Sequence, residues 1–331
     1  MSKIVISLLK GVNDYTYKFK GFYRFDISER GKIRHIRSVD IKERCIQKTL
    51  CNYCMVPVIE RRLIANNAAS RLGRGYHYTI MKLREHLRHY IHVHGTEGYI
   101  LLFDFKNYFE SISHEECKNL IRRDITDPKL LYWIDSMIDN FNEDNPNPGY
   151  GLGLGSQISQ ILALLIADHI DHYITEVCGI SAYGRYMDDG YVIAQTKEEL
   201  HNILQEIKRL ADEIGLHLNI QKTHIVKLTH GFTYCKKRFL ITNTGKIIMK
   251  ISHKSIAIER RKLKKLFIKL CNHEISLVDV YAGYQSWRAY AAHGNAYHTI
   301  HNMDLLYKSY FSKEGILWKT NLSAFLMMEA K

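Results

Sequence analysis

The sequence predicts an α+β fold in which helices pack on an antiparallel sheet. One apolar strand, residues 99–103, ends at Asp104. In a second segment, residues 180–194, apolar residues flank two adjacent aspartates, a pattern typical of a hairpin with an acidic turn. In residues 197–214, leucine and isoleucine recur on one helical face, which we expect to lie on the back of that sheet. A chain of 331 residues suffices for one large domain, or for two to three subdomains around a shared core.

Composition and charge point to a polyanionic partner. The formal charge is +13, with a pI of about 9.2, which favours nucleic acid over a membrane surface. No apolar run approaches the ~18 residues of a spanning helix, and the N-terminal apolar stretch is too interrupted for a secretory signal. Seven cysteines without framework spacing are typical of a reducing compartment, so we expect a cytoplasmic protein. Cys51 and Cys54 lack a second pair for zinc, and we expect them to pack.

The N-terminal part combines strands, helices and a basic loop. Residues 20–40 alternate as a hairpin around Glu29-Arg30-Gly31, with Arg34 on the second strand. Its basic face is either a solvated surface or a contact for triphosphate or template. A helical segment follows, then a loop at residues 66–77. There Gly73 and Gly75 would allow close backbone approach to a phosphate, although such glycines are common in turns.

The acidic residues predict a site for divalent cations. The adjacent pair Asp188 and Asp189 repel each other, and Asp104 at the end of a buried strand is costly without a positive partner. Oxygen ligands suit magnesium. The three carboxylates could hold two cations about 3.5–4 Å apart, the spacing that clamps both oxygens of an in-line displacement. The alternative for the pair is a solvated acidic hairpin tip.

A glycine-rich bend precedes a long predicted helix. Gly151, Gly153 and Gly155 would suit a phosphate cradle, but no Lys-Ser or Lys-Thr follows, which argues against a P-loop. The segment at residues 151–174 instead favours a glycine bend that leads into a helix. Further on, residues 230–250 predict a hairpin that turns at residues 242–245, and a basic helix follows from residue 252.

These segments, in this order, resemble the motifs of reverse transcriptases. The tetrad Tyr186-Met187-Asp188-Asp189 resembles their catalytic motif, and Ser159-Gln160 resembles most the versions in diversity-generating retroelements and related bacterial and phage polymerases. Gly153 departs from the pattern, since many relatives have proline there. The resemblance implies a polymerase right hand, with fingers and palm over residues 1–250 and a helical thumb over 251–331. The palm motifs lie near residues 98–116, 151–174, 180–195 and 215–227.

The resemblance also implies roles for individual residues. Asp104, Asp188 and Asp189 would be catalytic and would bind two Mg²⁺ ions, for which Mn²⁺ could substitute, with the backbone carbonyl of Phe105 as a further ligand. Phe109 would be the steric gate against a ribose 2′-OH, or else an ordinary core aromatic. The other implied contacts to the dNTP are Gln160, Arg34, Lys42, Arg71, Arg74 and Lys222, and those to nucleic-acid phosphates are Arg260, Arg261, Lys264 and Lys265.

The implied activity is that of an RNA-directed DNA polymerase, encoded by a bacterium or phage, which copies a structured or retroelement RNA into cDNA. Its setting would be a diversity-generating retroelement with an accessory basic protein, or an antiphage defence system with a structured noncoding RNA. Two alternatives remain open. One is protein-primed, self-primed or template-independent DNA synthesis in phage defence, and the other is a non-catalytic RNA-binding scaffold.

Overall fold

The computed structural model describes residues 3–29, 32–143 and 145–312. Helices and antiparallel strands alternate along the chain, which confirms the predicted α+β class. The chain divides into two compact units, Met1–Leu228 and Thr229–Lys331. The predicted border between palm and thumb at residue 250 stays a prediction. Residues 313–331 of the predicted thumb lie outside the described residues, as do residues 30–31 at the predicted turn of the first hairpin.

The first unit contains ten helices and six strands among its described residues. The helices are α1 Lys3–Asn13, α2 Ile41–Leu50, α3 Val56–Arg62, α4 Tyr76–His94, α5 Tyr108–Ser111, α6 His114–Asp124, α7 Pro128–Asp139, α8 Gln157–Leu165, α9 Asp168–His172 and α10 Lys197–Glu213. The strands are β1 Tyr23–Glu29, β2 Lys32–Ser38, β3 Tyr99–Asp104, β4 Tyr183–Tyr186, β5 Asp189–Ala194 and β6 His224–Lys227. Single π-helical turns, Cys51–Met55 and Tyr173–Val177, follow α2 and α9.

A four-stranded antiparallel sheet organises this unit. Its order is β4-β5-β3-β6, so the two strands that end or begin at an aspartate are neighbours in the centre. Helix α10 contacts β3 and β5, which confirms the predicted packing of this helix on the sheet. Thr196 caps its N-terminus by accepting a hydrogen bond from the Glu199 amide, and Gly215 follows its C-terminus with a φ of 73°.

A helix follows the glycine bend as predicted, but helical structure is interrupted before residue 174. Helix α8 ends at Leu165, and Ala167 has a non-helical ψ of 14° before α9 begins. Asp168 and Asp171 follow the break, and both are buried with arginine partners. The chain therefore leaves one helical path where two buried acids form ion pairs, Asp168 with the half-buried Arg62 and Asp171 with the buried Arg185, and these pairs outweigh the helix propensity of an apolar segment.

The second unit joins a small sheet to three helices. The predicted hairpin is present as β8 Lys237–Ile241 and β9 Ile247–Ile251, and a third strand, β7 Phe232–Tyr234, pairs with β8. The helices are α11 His253–Cys271, α12 Leu277–Ala292 and α13 Tyr297–Phe311. Their shared core includes Leu263, Phe267, Tyr284, Trp287 and Met303. No helix in the described part of the chain is long and apolar enough to cross a bilayer.

One lysine is buried in this second unit. Lys237 is fully buried, its Nζ donates to the Tyr290 carbonyl at 2.8 Å, and it lies 3.7 Å from the centroid of the Tyr290 ring. Burial lowers the pKa of Lys237 from its ordinary 10.5 to about 8, because the charged form loses its hydration. The ring and the carbonyl offset only part of this cost.

Candidate active site

Three carboxylates meet at one end of the central strand pair. Asp104, the last residue of β3, lies directly opposite Asp189, the first residue of β5. Opposed residues of an antiparallel pair point to the same face of the sheet. Met187 and Asp188 form the two-residue turn between β4 and β5, and Met187 has a φ of 56°. The Phe105 amide donates to the Asp188 carbonyl at 3.2 Å, which ties this turn to the end of β3.

The negative charge at this turn is poorly compensated. Asp104 is only 2% exposed. Burial, followed by the charge of Asp104, raises the pKa of Asp188, and the positive charges of Lys222 and Arg34 partly oppose this. Burial and the charges of Asp188 and Asp104 raise the pKa of Asp189 to about 7. The three acids therefore repel one another in a partly buried site, and Arg34 lies near enough to act on it.

Lys222 supplies one positive partner. Its Nζ donates to Asp104 Oδ2 at 2.5 Å, and the Asn219 side chain donates to Asp104 Oδ1 at 3.1 Å. The backbone brings both residues there, since Phe105 and Leu218 form a β-bridge and the Asn219 amide donates to the Asp104 carbonyl at 2.7 Å. Partial burial alone would lower the pKa of Lys222, but the hydrogen bond and charge of Asp104 outweigh it and raise the pKa.

The donor set fits a hard divalent cation. All of its side-chain ligand atoms are carboxylate oxygens, and the raised pKa values of Asp188 and Asp189 indicate negative charge without a sufficient counter-charge. As arranged, no group of three or more His, Cys, Asp or Glu side chains among the described residues could already hold a metal ion. Asp104 is instead engaged by Lys222. Metal binding by the three aspartates and by the Phe105 carbonyl stays a prediction.

Phe109 lies beside the glycine-rich bend. It is half-buried in the short helix α5, packs edge-to-face on Tyr108 at 5.9 Å, and its carbonyl accepts from the Leu152 amide at 2.7 Å. The bend itself packs against β2, because a Cβ on Gly155 would approach the Ile36 side chain to 2.9 Å. Close strand packing therefore requires this glycine. The gate role of Phe109 stays a prediction.

Gln160 is linked to the basic loop. It lies half-buried on α8, and its Oε1 accepts a hydrogen bond from the Ser70 hydroxyl at 2.9 Å. Ser70 has a φ of 50°, a conformation that is uncommon outside glycine. The structure therefore brings two segments that are distant in sequence together here, the loop at residues 70–75 and the helix after the glycine bend.

The arginines of this loop brace the loop itself. Arg71 is 8% exposed; its Nε donates to Glu60 at 2.8 Å and its Nη1 donates to the Ile64 carbonyl at 2.7 Å. The hydrogen bond from Arg71 lowers the pKa of Glu60. Arg74 donates to the Ala65 carbonyl. Both guanidinium groups thus have protein partners, and their predicted contact with nucleotide stays a prediction.

Lys42 and the basic residues of the second unit lie on exposed surfaces. Lys42 is in the first turn of α2, where its amide donates to the Asp40 cap at 2.9 Å. The four cations of α11 predicted to bind phosphate are all exposed, and two of them line a groove of about 500 Å³ between α11 and α13. The groove is lined by His253, Ile256, Ala257, Arg260, Arg261, Thr299 and Asn302, whereas Lys264 and Lys265 lie further along α11.

Sequence reasoning missed a buried ion pair behind the acidic turn. Arg185 of β4 and Asp171 of α9 are both fully buried, and the Arg185 Nη2 lies 2.6 Å from Asp171 Oδ2. Arg185 also donates to the Met187 carbonyl at 2.9 Å. A detectable signal was present, since an arginine interrupts an apolar strand immediately before the tetrad. Asn219, which hydrogen-bonds Asp104, was missed as well.

Comparison with known proteins agrees with this arrangement. A family model described as "Reverse transcriptase (RNA-dependent DNA polymerase)" matches residues 21–259. The chain is 22% identical over 246 residues to Protein YkfC of Escherichia coli (strain K12), an alignment that covers 63% of this chain and 64% of that protein.

Solved structures share the fold. A telomerase from Candida albicans, in complex with a fragment of telomeric RNA, superposes with a TM-score of 0.51 at 13% identity, over 76% of this chain and 49% of that one. Apo telomerase from Candida tropicalis gives a TM-score of 0.53 at 14% identity, over 69% of this chain and 47% of that one. This likeness confirms the predicted polymerase fold. The chain spans less than two thirds of the length of each of these proteins.

Proposed function

Because the chain belongs to the reverse transcriptase family, we propose that it is an RNA-directed DNA polymerase that adds deoxynucleotides to a 3′-OH and releases pyrophosphate. The observation that supports this most is the convergence of Asp104, Asp188 and Asp189 at one end of the β3–β5 pair. Asp104 is far in sequence from the adjacent pair Asp188 and Asp189, the three charges repel one another, and a packed protein retains such a set at a cost to its stability.

The three aspartates would hold two divalent cations, Mg²⁺ or Mn²⁺, together with the Phe105 carbonyl. When bound, such cations lower the pKa of a primer 3′-OH and neutralise charge on the triphosphate. The chain itself contributes three carboxylates at one end of the β3–β5 pair, with the buried Asp104 fixed by Asn219 and by the β-bridge that follows it. Preorganised charge in a water-poor site stabilises a transition state more than the same charge in water.

Lys222 would have two positions in this cycle. In the structure it compensates Asp104. Where bound cations compensate the Asp104 charge instead, the Lys222 ammonium would be available to the triphosphate. There it would steady or protonate the pyrophosphate leaving group. The ordinary lysine pKa of 10.5 already keeps the ammonium protonated at neutral pH, as this role requires. Arg34, whose charge reaches Asp188, would contact the triphosphate from the other side.

The remaining nucleotide contacts come from residues near the bend and the basic loop. Phe109 would exclude a ribose 2′-OH, and Gln160 would contact template or incoming nucleotide once its bond from Ser70 is released. Arg71 and Arg74 would act mainly by holding the loop in shape, since their guanidinium groups already bind protein acceptors. Lys42, exposed at the start of α2, would add a phosphate contact.

Nucleic acid would be held largely through its phosphates. The exposed cations of α11, Arg260, Arg261, Lys264 and Lys265, would contact the backbone without reading sequence, as parts of a helical thumb. The partners would be an RNA template and its cDNA, in a bacterial or phage-encoded retroelement or antiphage defence system. RNA affinity should fall by about 10³-fold or more between 50 and 200 mM salt if six or more phosphates are contacted. A flat salt dependence would contradict this picture.

Primer extension on an RNA template, with Mg²⁺ and with Mn²⁺, tests the proposal. We expect incorporation of dNTPs by the parent protein and its loss in Asp188→Asn. The matched control is Asp212→Asn, which replaces an exposed carboxylate on α10 that pairs with His217. This variant should extend primers like the parent. A folded parent that is inactive with its copurifying RNA and both metals would refute polymerase activity and leave the non-catalytic scaffold.

A further inference from the structure

The buried Arg185–Asp171 pair uses nearly all of its hydrogen-bonding capacity. Arg185 Nε donates to Asp171 Oδ1 at 2.7 Å and its Nη2 donates to Oδ2 at 2.6 Å, which makes the pair bidentate. Asp171 also accepts from the Tyr183 hydroxyl and from the Asn67 amide at 3.1 Å. Replacing such a pair by apolar residues often costs no stability, so stability alone does not account for its presence.

The pair acts on the acidic turn through one carbonyl. Arg185 Nη1 donates to the carbonyl of Met187, the residue directly before Asp188, at 2.9 Å. Met187 has a left-handed backbone, which is unfavourable for a side chain of its size. The Asp188 carbonyl is held from the other side by the Phe105 amide. Both peptide groups that flank Asp188 are thus fixed, and the first of them is fixed by a buried cation.

The same pair also holds the start of the basic loop. The Arg185 amide donates to the Asn66 carbonyl at 3.1 Å, and the Ala68 amide donates to the Arg185 carbonyl at 3.2 Å, so this segment extends the sheet beyond β4. The Asn67 side chain adds its bond to Asp171. Three residues after Asn67, Ser70 bonds Gln160. One ion pair therefore contacts both the turn that carries Asp188 and the segment that leads to the predicted nucleotide contacts.

We propose that Arg185 and Asp171 are positioning residues, which fix the backbone of the Met187–Asp188 turn from which Asp188 would bind a metal ion, and which keep the loop at residues 66–71 in register with that turn. This inference rests on the proposed function. It assigns neither residue to the reacting atoms. Partners behind a metal ligand commonly change metal affinity about 10- to 100-fold when removed, and a misplacement of about 1 Å costs about 100-fold in rate.

The test replaces the pair by apolar residues of similar size, Arg185→Met with Asp171→Leu. The matched control replaces a second partly buried pair, Arg62→Met with Asp168→Leu, which joins α3 to α9 without a bond to the turn. We measure Mn²⁺ affinity by electron paramagnetic resonance, independently of activity, and primer extension beside it. We expect the first double variant to fold, to bind Mn²⁺ about tenfold more weakly, and to extend about 100-fold more slowly. The control should match the parent in both.

The inference would be overturned if the Arg185→Met, Asp171→Leu protein folds and if its Mn²⁺ affinity and primer-extension rate are within about twofold of the parent. If that variant does not fold, Arg185→Lys decides, because lysine keeps the charge beside Asp171 but cannot donate to both Asp171 and Met187 with a rigid fork. Weakened Mn²⁺ binding in Arg185→Lys supports the inference, and unchanged binding refutes it. A parent that neither binds Mn²⁺ nor extends would refute the proposed function itself.

Discussion

Removing the ammonium of Lys222 should tighten metal binding while it slows catalysis. In the structure Lys222 and Asp104 form an ion pair at 2.5 Å, with the lysine side chain 52% exposed and the carboxylate 4% exposed. The ammonium and a divalent cation compete for the same oxygen. Lys222→Met eliminates this competitor and also removes a positive charge that repels an incoming cation, so both effects have the same sign.

The structure sets the size of the effect. Two unit charges about 4 Å apart interact by about 4 kcal/mol at an effective dielectric constant of about 20, whereas solvent-exposed pairs measure only about 0.2–1 kcal/mol. Since half of the Lys222 side chain is in water, we take a screened value of about 1 kcal/mol. This corresponds to Mn²⁺ binding about fivefold tighter in Lys222→Met.

Mn²⁺ titration followed by electron paramagnetic resonance measures this directly, with Asp188→Asn as the reference for lost binding. Lys222→Arg retains the competing charge and should bind Mn²⁺ about as the parent does. Primer extension by Lys222→Met should nevertheless fall about 100-fold, the lower end of what a positioned proton donor contributes. Unchanged or weaker Mn²⁺ binding in folded Lys222→Met would refute the competition argument, whatever happens to the rate.

Three further predictions concern stability and selectivity. Lys237→Met should raise the free energy of unfolding by about 2 kcal/mol at pH 7, because the pKa of Lys237 is lower in the native state than in the unfolded state. From pH 8 to 10.5 the parent gains stability, so the difference in unfolding free energy between parent and variant shrinks. Urea titrations at several pH values measure this difference. Gly190→Ala should lower the free energy of unfolding by about 2 kcal/mol in denaturant titrations, since its Cβ would lie 2.2 Å from the Phe103 ring. The control Gly283→Ala in α12 should be neutral or stabilising. Equal effects of the two substitutions would contradict this reasoning. Phe109→Ala should raise incorporation of ribonucleotides relative to deoxynucleotides about tenfold in single-nucleotide extension, and an unchanged ratio would assign Phe109 to packing alone.

The acidic hairpin and its sheet were predictable because each strand is a short apolar run that changes to aspartate at one end. Two apolar strands of that kind are expected to pair, and β3 and β5 do pair. The amphipathic helix α10 was predictable for the same reason, since one apolar face and a threonine cap define it. Each strand and the helix can be identified from the residue pattern within one short segment.

Features that depend on partners distant in sequence were not predictable. The break between α8 and α9 follows from the ion pairs of Asp168 and Asp171 with arginines elsewhere in the chain, and no glycine or proline marks it. Strand β7 was missed because its turn uses Cys235 and Lys236 at positive φ, where glycine or asparagine would be the usual signal. The bond from Arg71 to Glu60 was not predictable either, because spacing along the chain does not identify this half-buried acceptor.

The fit between Gly190 and Phe103 has a consequence for how this chain tolerates changes in length. Residues 100–104 and 190–194 are buried throughout, so apolar character alone would allow these strands to slip by one position. Gly190 lies opposite Phe103, whose ring fills the space that any other side chain would need. That pairing selects one alignment, and only that alignment sets Asp189 beside Asp104. Insertions and deletions should therefore accumulate in the long connection between the strands, whereas one residue gained or lost inside β5 would leave an apolar core in which Asp189 no longer lies opposite Asp104.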